Sequence, residues 1–321
     1  MLAIKRFFLF VLLLFIFDRS ISFLICKFNY LVFGNYRIEE PLTKYLKSKD
    51  FNTLILGTSR TYEGLHPSLL KSEKVVPFKW GYQGHGPEYN YYFYKLYKKI
   101  YKIPRLLIYG MDYFIYNISS STFSLNEIGK NKAEELLEDF FSPSLLLLRN
   151  KSQYDILLND ILKIKNNPDV SLYKRISDMQ NYTGVQKSLL KGCKVNTIKP
   201  LKMARSPFFR PPGREGIYFT KLLDELNSDN VKVVLVVIPD YIGTYKTNFS
   251  HKIFRRHVRR LEDKYKNIKI INYNIPGRFN LKNESLFLDG GYGFSNSHLS
   301  KKGAKLFNSL INHKLSNIIL K

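Results

Sequence analysis

The sequence predicts an α/β protein: a doubly wound parallel sheet of about five strands, with a helical insertion and an N-terminal membrane helix. Three observations predict it. Short, continuously apolar segments alternate with amphipathic helical stretches between residues 51 and 321, the pattern of strands buried on both faces. That alternation breaks over residues 118–217, where only helical periodicity is found. The chain opens with Lys5 and Arg6, followed by an unbroken apolar run from Phe7 to Phe17.

The opening segment is read first. Asp18-Arg19-Ser20 interrupts the run, and a second apolar piece, Ile21 to Cys26, follows. The first run has the length of a signal-peptide core and is too short to span a bilayer; Phe7 to Cys26 together would span it. Arg19 can snorkel to the headgroups and partly neutralise Asp18 beside it. No small-residue cleavage site follows, and the bulky Ile25 before Cys26 is unlike a lipoprotein site. Residues 1–27 therefore read as an uncleaved signal anchor, with the bulk of the chain extracytoplasmic, periplasmic or at the cell surface. Lys27, Arg37, Lys44 and Lys47 on the far flank pull against that orientation. A buried amphipathic helix of a soluble protein is the alternative. Residues 28–50 read as a stem.

The α/β domain is expected over residues 51–321. Thr53 to Gly57 is a short buried strand ending at glycine, and Lys74 to Phe78 a weaker second one. Tyr89 to Tyr101 has aromatics at helical spacing, and Pro104 follows it. Arg105 to Gly110 is a third strand. Val231 to Ile238 is the clearest, stopped by Pro239, and Lys269 to Tyr273 is a fifth. Helices are expected over Tyr218 to Leu226, Ile253 to Tyr265 and Lys301 to Leu320. In the insertion, Ala133 to Phe141 and Tyr154 to Ile164 have amphipathic spacing, with Ser142-Pro143 as a helix start between them.

Composition limits the function. Hydrophobic residues are 45% and charged residues 24% of the chain, so it can bury a core, and wholly disordered or collagen-like classes are excluded. Its two cysteines, Cys26 and Cys193, allow at most one bridge, so disulfides do not organise the fold. The net charge of +25 gives affinity for polyanions and anionic lipid. The wealth of Lys, Asn, Ile, Phe and Tyr is also what AT-rich coding produces. There is no zinc-finger spacing, no RNP-like aromatic motif and no single basic helix, with the positive residues spread along the chain, so nucleic acid is not an expected partner. An acidic glycan or a membrane surface fits better. With no metal-ligand cluster and no phosphate-binding glycine loop with its lysine, neither metal nor cofactor is expected.

Ligands of open α/β sheets bind beyond the carboxyl ends of the strands. Gly57-Thr58-Ser59-Arg60 follows the first strand, Gly81-Tyr82-Gln83-Gly84-His85-Gly86 the second, Gly110-Met111-Asp112 the third and Pro239-Asp240 the fourth. Asp289-Gly290-Gly291, then Ser297-His298-Leu299, precede the last helix. A serine, a glycine loop and a histidine at one rim suit nucleophilic acyl chemistry. A Ser hydroxyl needs a base to take its proton, and the oxyanion needs preorganised N–H donors. Ser59 is the candidate nucleophile and His298 the base. The backbone N–H groups of Ser59 and Gly84 are the candidate oxyanion donors.

These residues resemble the SGNH (GDSL-like) hydrolase superfamily, and more narrowly its membrane-anchored extracytoplasmic branch, which includes alginate O-acetylation proteins and the D-alanyl transfer protein of teichoic acid modification. Leu54-Ile55-Leu56-Gly57-Thr58-Ser59-Arg60, the Gly81/Gly84 loop, Gly110-x-Asp112 and Ser297-His298-Leu299-x-x-x-Gly303-Ala304 carry the resemblance, over most of residues 51–310. It implies a flavodoxin-like sheet and an esterase or O-acyltransferase acting on acyl esters of a cell-envelope glycan, with a membrane partner to deliver the acyl group for transfer. The pattern departs from the family at three places. Thr58 replaces the nucleophile block's Asp. Asp112 replaces the third block's Asn, and an ionised carboxylate cannot donate to an oxyanion. Ser295 stands where the acid three residues before the His belongs, leaving Asp289 or Asp112 to orient His298, or a Ser–His dyad.

Each residue also has a plainer reading. Ser59 can cap the helix that follows it, His298 can be a surface histidine, Asp112 a turn or cap residue, and Asp289-Gly290-Gly291 a turn. His85 between glycines reads as a solvated loop. Arg214 in Pro212-Gly213-Arg214-Glu215-Gly216 reads as part of a turn or as an anion holder. Arg60 is either a substrate anchor or a partner for Asp112. The departures equally suit a catalytically inactive protein of the same fold that binds or assembles an anionic envelope polymer.

Overall fold

The computed structural model of the protein describes residues 5–17, 20, 39–70, 74–81, 86–112, 176, 180, 214–241, 250–287 and 298–319. The chain divides into two compact units, residues 1–41 with 122–174, and residues 42–121 with 175–321. In the first, helix α1 covers residues 5–17. No described helix is long and apolar enough to cross a membrane, so the helix expected over Phe7 to Cys26 is described only over its first half. Most of the expected insertion, 118–217, lies outside the described residues.

The sheet lies in the second unit. Helix α2 (Glu39–Lys47) leads to β1 (Thr53–Leu56), and the short helices α3 (Ser59–Gly64) and α4 (Pro67–Leu70) lead to β2 (Pro77–Lys79). Then come α5 (Pro87–Ile100), β3 (Leu106–Met111), α6 (Arg214–Ser228), β4 (Lys232–Val237), α7 (Ser250–Lys264), β5 (Ile268–Asn272) and α8 (Lys301–Ile319). The five strands are all parallel, in the order β2-β1-β3-β4-β5. This is the doubly wound order whose direction reverses between β1 and β3.

Both faces of the sheet are covered, which is why its inner strands β1, β3 and β4 are almost wholly apolar. On one face Ile55, Ile108, Val234, Val236 and Ile271 meet Ala304, Phe307, Ile311 and Leu315 of α8. On the other, Tyr109 meets Phe219 of α6 at 5.3 Å between ring centroids, and Trp80 stacks on Phe93 of α5 at 4.6 Å. Lys98 of α5 holds Asp229, just past α6, at 2.8 Å.

Several boundaries differ from the sequence reading. β2 starts at Pro77, because an edge strand tolerates the missing N–H, and Val75 makes only an isolated bridge. The edge of β2 is covered by one side chain: Gln180 accepts from Lys79 N–H at 2.9 Å and donates to Lys79 C=O at 2.7 Å. α5 starts at Pro87, the favoured first helical position for proline. α6 starts at Arg214, so Arg214 to Gly216, read as part of a turn, are helical, and the Glu215 carboxylate accepts from the Glu88 N–H of α5 at 2.8 Å. Basic charge is also more concentrated than the sequence reading had it: α7 carries Arg256, Arg259 and Arg260, all exposed.

Candidate active site

The turn after β1 begins at Gly57, whose φ of +145° is one that side-chain-bearing residues rarely adopt. A Cβ there would lie 2.1 Å from Thr61 Oγ1, and one on Gly110 at the end of β3 would lie 1.9 Å from the same atom. The two glycines let α3 settle directly onto the ends of β1 and β3, at the reversal of strand order. Thr58 caps α3, its hydroxyl oxygen accepting from Arg60 N–H at 3.2 Å and its O–H donating to Asp112 Oδ2. Ser59 is the first residue of α3, where a backbone N–H has no partner within the helix.

The second half of the site comes from 239 residues away: Ser59 Oγ lies 3.1 Å from His298 Nε2. His298 stands three residues before α8, and α8 is held by two contacts, one to the end of α3 and one to the turn at Leu286. Asn308 donates to Gly64 C=O at 2.7 Å and accepts from His66 N–H at 2.9 Å. Gly303 packs so closely on the Leu286 carbonyl that a Cβ would lie 1.9 Å from its oxygen. The His298 side chain is 30% exposed. Burial, helped by the positive charge of Arg60, pushes its pKa down to about 4, so the imidazole is neutral at pH 7 and able to accept a proton.

Arg60 and Asp112 occupy a different place from the one a substrate would reach. Arg60 is 1% exposed; its guanidinium donates to Asp112 Oδ1 at 2.8 Å and to Pro239 C=O at 2.7 Å, and lies 2.6 Å from Asp240 Oδ1. Of the two roles open to Arg60 in the sequence, it takes that of partner to Asp112, because all around it are buried oxygens. Asp112 faces Thr58 and Arg60 rather than His298, so it neither orients the histidine nor stands as an oxyanion donor. Burial raises the pKa of both Asp112 and Asp240, and Arg60 opposes the rise. Gly84 and Asp289 lie outside the described residues.

Asp240 follows β4 as Asp112 follows β3; the strand-end rule placed it at the rim without giving it a role. Two further site residues escaped the sequence reading. Glu63 sits four residues after Ser59 on α3, with Oε2 3.7 Å from His298 Nε2. Lys79, at the end of β2, is wholly buried, and its ammonium donates to the carbonyls of Tyr62 at 2.8 Å and Leu65 at 3.0 Å. Burial pushes its pKa down to about 7, against the pull of Glu63.

No family model matches the chain, and no curated protein is significantly similar to it.

Proposed function

We propose that the chain is an SGNH-like acyl-ester enzyme, anchored in a membrane by its N-terminal apolar segment, that removes or transfers acyl groups on a cell-envelope glycan. One observation carries the chemistry: a serine hydroxyl and a neutral imidazole in hydrogen-bond contact, 3.1 Å apart, at the strand-order reversal of a parallel sheet. Ser59 Oγ attacks the acyl carbonyl carbon as its proton passes to His298 Nε2. The carbon–oxygen bond to the alcohol breaks, and His298 returns the proton to the departing alkoxide. Water or a glycan hydroxyl then attacks the acyl-serine, again losing its proton to His298, and Ser59 is regenerated. The Ser59 N–H at the start of α3 is a donor for the oxyanion. Transfer rather than hydrolysis calls for an activated acyl donor, brought by a membrane partner. The high positive charge suits an acidic polymer.

The test is turnover of a small acetyl ester by the purified full-length chain. Ser59→Ala abolishes turnover and labelling by an alkyl fluorophosphonate while leaving the melting temperature within about 2 °C, as expected of a half-exposed hydroxyl. If neither turnover nor labelling depends on Ser59, the catalytic reading fails, leaving an inactive SGNH-like protein that binds an anionic polymer. Protease protection of the domain in intact cells tests the extracytoplasmic placement.

A further inference from the structure

Ser59 and Glu63 are four residues apart on α3, so their side chains leave the same face of the helix. Both reach one atom: His298 Nε2 lies 3.1 Å from Ser59 Oγ and 3.7 Å from Glu63 Oε2. The Glu63 side chain is 8% exposed, and Oε2 makes no hydrogen bond in the resting site. A buried carboxylate oxygen held without a donor is costly unless a charge comes to meet it. The nitrogen beside it, His298 Nε2, is the one that gains charge in the proposed reaction.

We propose that Glu63 is a positioning residue of the Ser59–His298 pair, its carboxylate stabilising the imidazolium that forms when His298 takes the Ser59 proton. This rests on the acyl-ester reading and deepens it. No proton reaches Glu63 in the cycle: the serine proton goes to Nε2, stands there against Oε2, and leaves on the departing alkoxide. The carboxylate gives this help only while it is ionised.

The described groups around Glu63 decide when it is. Arg60 on its own helix and Lys79 on β2 pull its pKa down, while burial pushes it up to about 7. His66, whose Nε2 lies 3.2 Å from the Glu63 carbonyl, stays neutral because burial holds its pKa down at about 3. Asp112 and Asp240 stand behind Arg60 and are paired with it. Below about pH 7, Glu63 is uncharged and no longer offsets the positive charge of Arg60 at His298. Above it, a carboxylate within about 4 Å raises a histidine pKa by roughly 1–3, making the imidazolium about tenfold to a thousandfold easier to form.

The experiment is the rate of labelling by an alkyl fluorophosphonate from pH 5 to 9, on the full-length chain in detergent, for the wild type, Glu63→Gln and Glu63→Asp. The wild-type rate rises with a midpoint near 7. Glu63→Gln matches the wild type near pH 5.5, loses the rise, and is at least about tenfold slower at pH 8. Glu63→Asp recovers part of the rise. A folded Glu63→Gln with an unchanged profile, or one slowed equally at every pH, overturns the inference while the Ser59 chemistry stands. Absence of Ser59-dependent labelling in the wild type at any pH overturns both.

Discussion

Replacing Arg60 with methionine takes away a cation that the carboxyl ends of β1, β3 and β4 share. Methionine roughly fills the space, so the loss is electrostatic. At 2.6 and 2.8 Å, and with an effective dielectric of about 20, each carboxylate contact is worth about 6 kcal/mol in gross Coulomb energy. Most of that offsets the cost of taking the ions out of water. What the substitution exposes is two fully buried carboxylates, Asp112 left with Thr58 and Asp240 left with Asn274. Removing one partner of a buried pair costs about 3–5 kcal/mol, and two carboxylates losing the same partner put this site at the upper end. For a domain of this size that is a fall in melting temperature of about 10–20 °C at pH 7.5. The sign of the pH dependence is fixed by the direction of the shifts. Burial already holds both carboxyls above their ordinary value, and without Arg60 they rise further. A carboxyl whose folded pKa is raised contributes stability that is complete below its unfolded pKa and lost as pH rises through the folded one. The deficit of Arg60→Met therefore shrinks from pH 7.5 to pH 5, and Asp112→Asn in the same chain restores part of it. Thermal melts followed by circular dichroism at the two pH values decide the matter. A variant melting within about 3 °C of the wild type at pH 7.5, or one more damaged at pH 5, refutes the reasoning.

Other outcomes follow from the same site. Glu63→Gln is more stable than the wild type at pH 8: the folded pKa of Glu63 is raised to about 7, so its contribution is complete below about 4.5 and lost as pH rises through 7. The gain is on the order of 2–3 kcal/mol, read as a higher melting temperature, and a variant less stable than the wild type at pH 8 contradicts it. Gly303→Ala drives a Cβ into the Leu286 carbonyl, so it costs at least about 1–3 kcal/mol and slows fluorophosphonate labelling, since His298 stands just before α8 and moves with its start. Unchanged melting and labelling would show that the α8–Leu286 contact is not a constraint.

The sheet was legible because a strand buried on both faces has almost no polar residue to spare, and β1, β3 and β4 have this signature. β2 was read three residues early at its start and one at its end. At an edge strand proline is harmless, and the Lys79 ammonium that ends the strand finds two carbonyls. Ser59 and His298 were legible from the strand-end rule and the spacing of their neighbours, which ignores the 239 residues between them. Glu63 was not, because in Thr61-Tyr62-Glu63-Gly64 a glutamate reads as helix surface. Only the burial of α3 against the rim, permitted by Gly57 and Gly110, turns it inward.

The three charged or reactive positions of α3 follow from helix geometry once Ser59 is placed. Successive residues turn by about 100°, so with Ser59 facing His298, Arg60 faces away from it, toward the strand ends. There it meets the buried carboxylates Asp112 and Asp240 and fixes the helix that carries Ser59. Its charge still lowers the basicity of His298. Glu63, four residues on, returns to within about 40° of Ser59 and supplies the opposite charge. The cation that builds the site thus works against its base, and the carboxylate one turn later works for it. This is why Arg60→Met, even where it destabilises the fold, raises the pKa of His298, and why Glu63→Gln stabilises the fold while slowing the reaction.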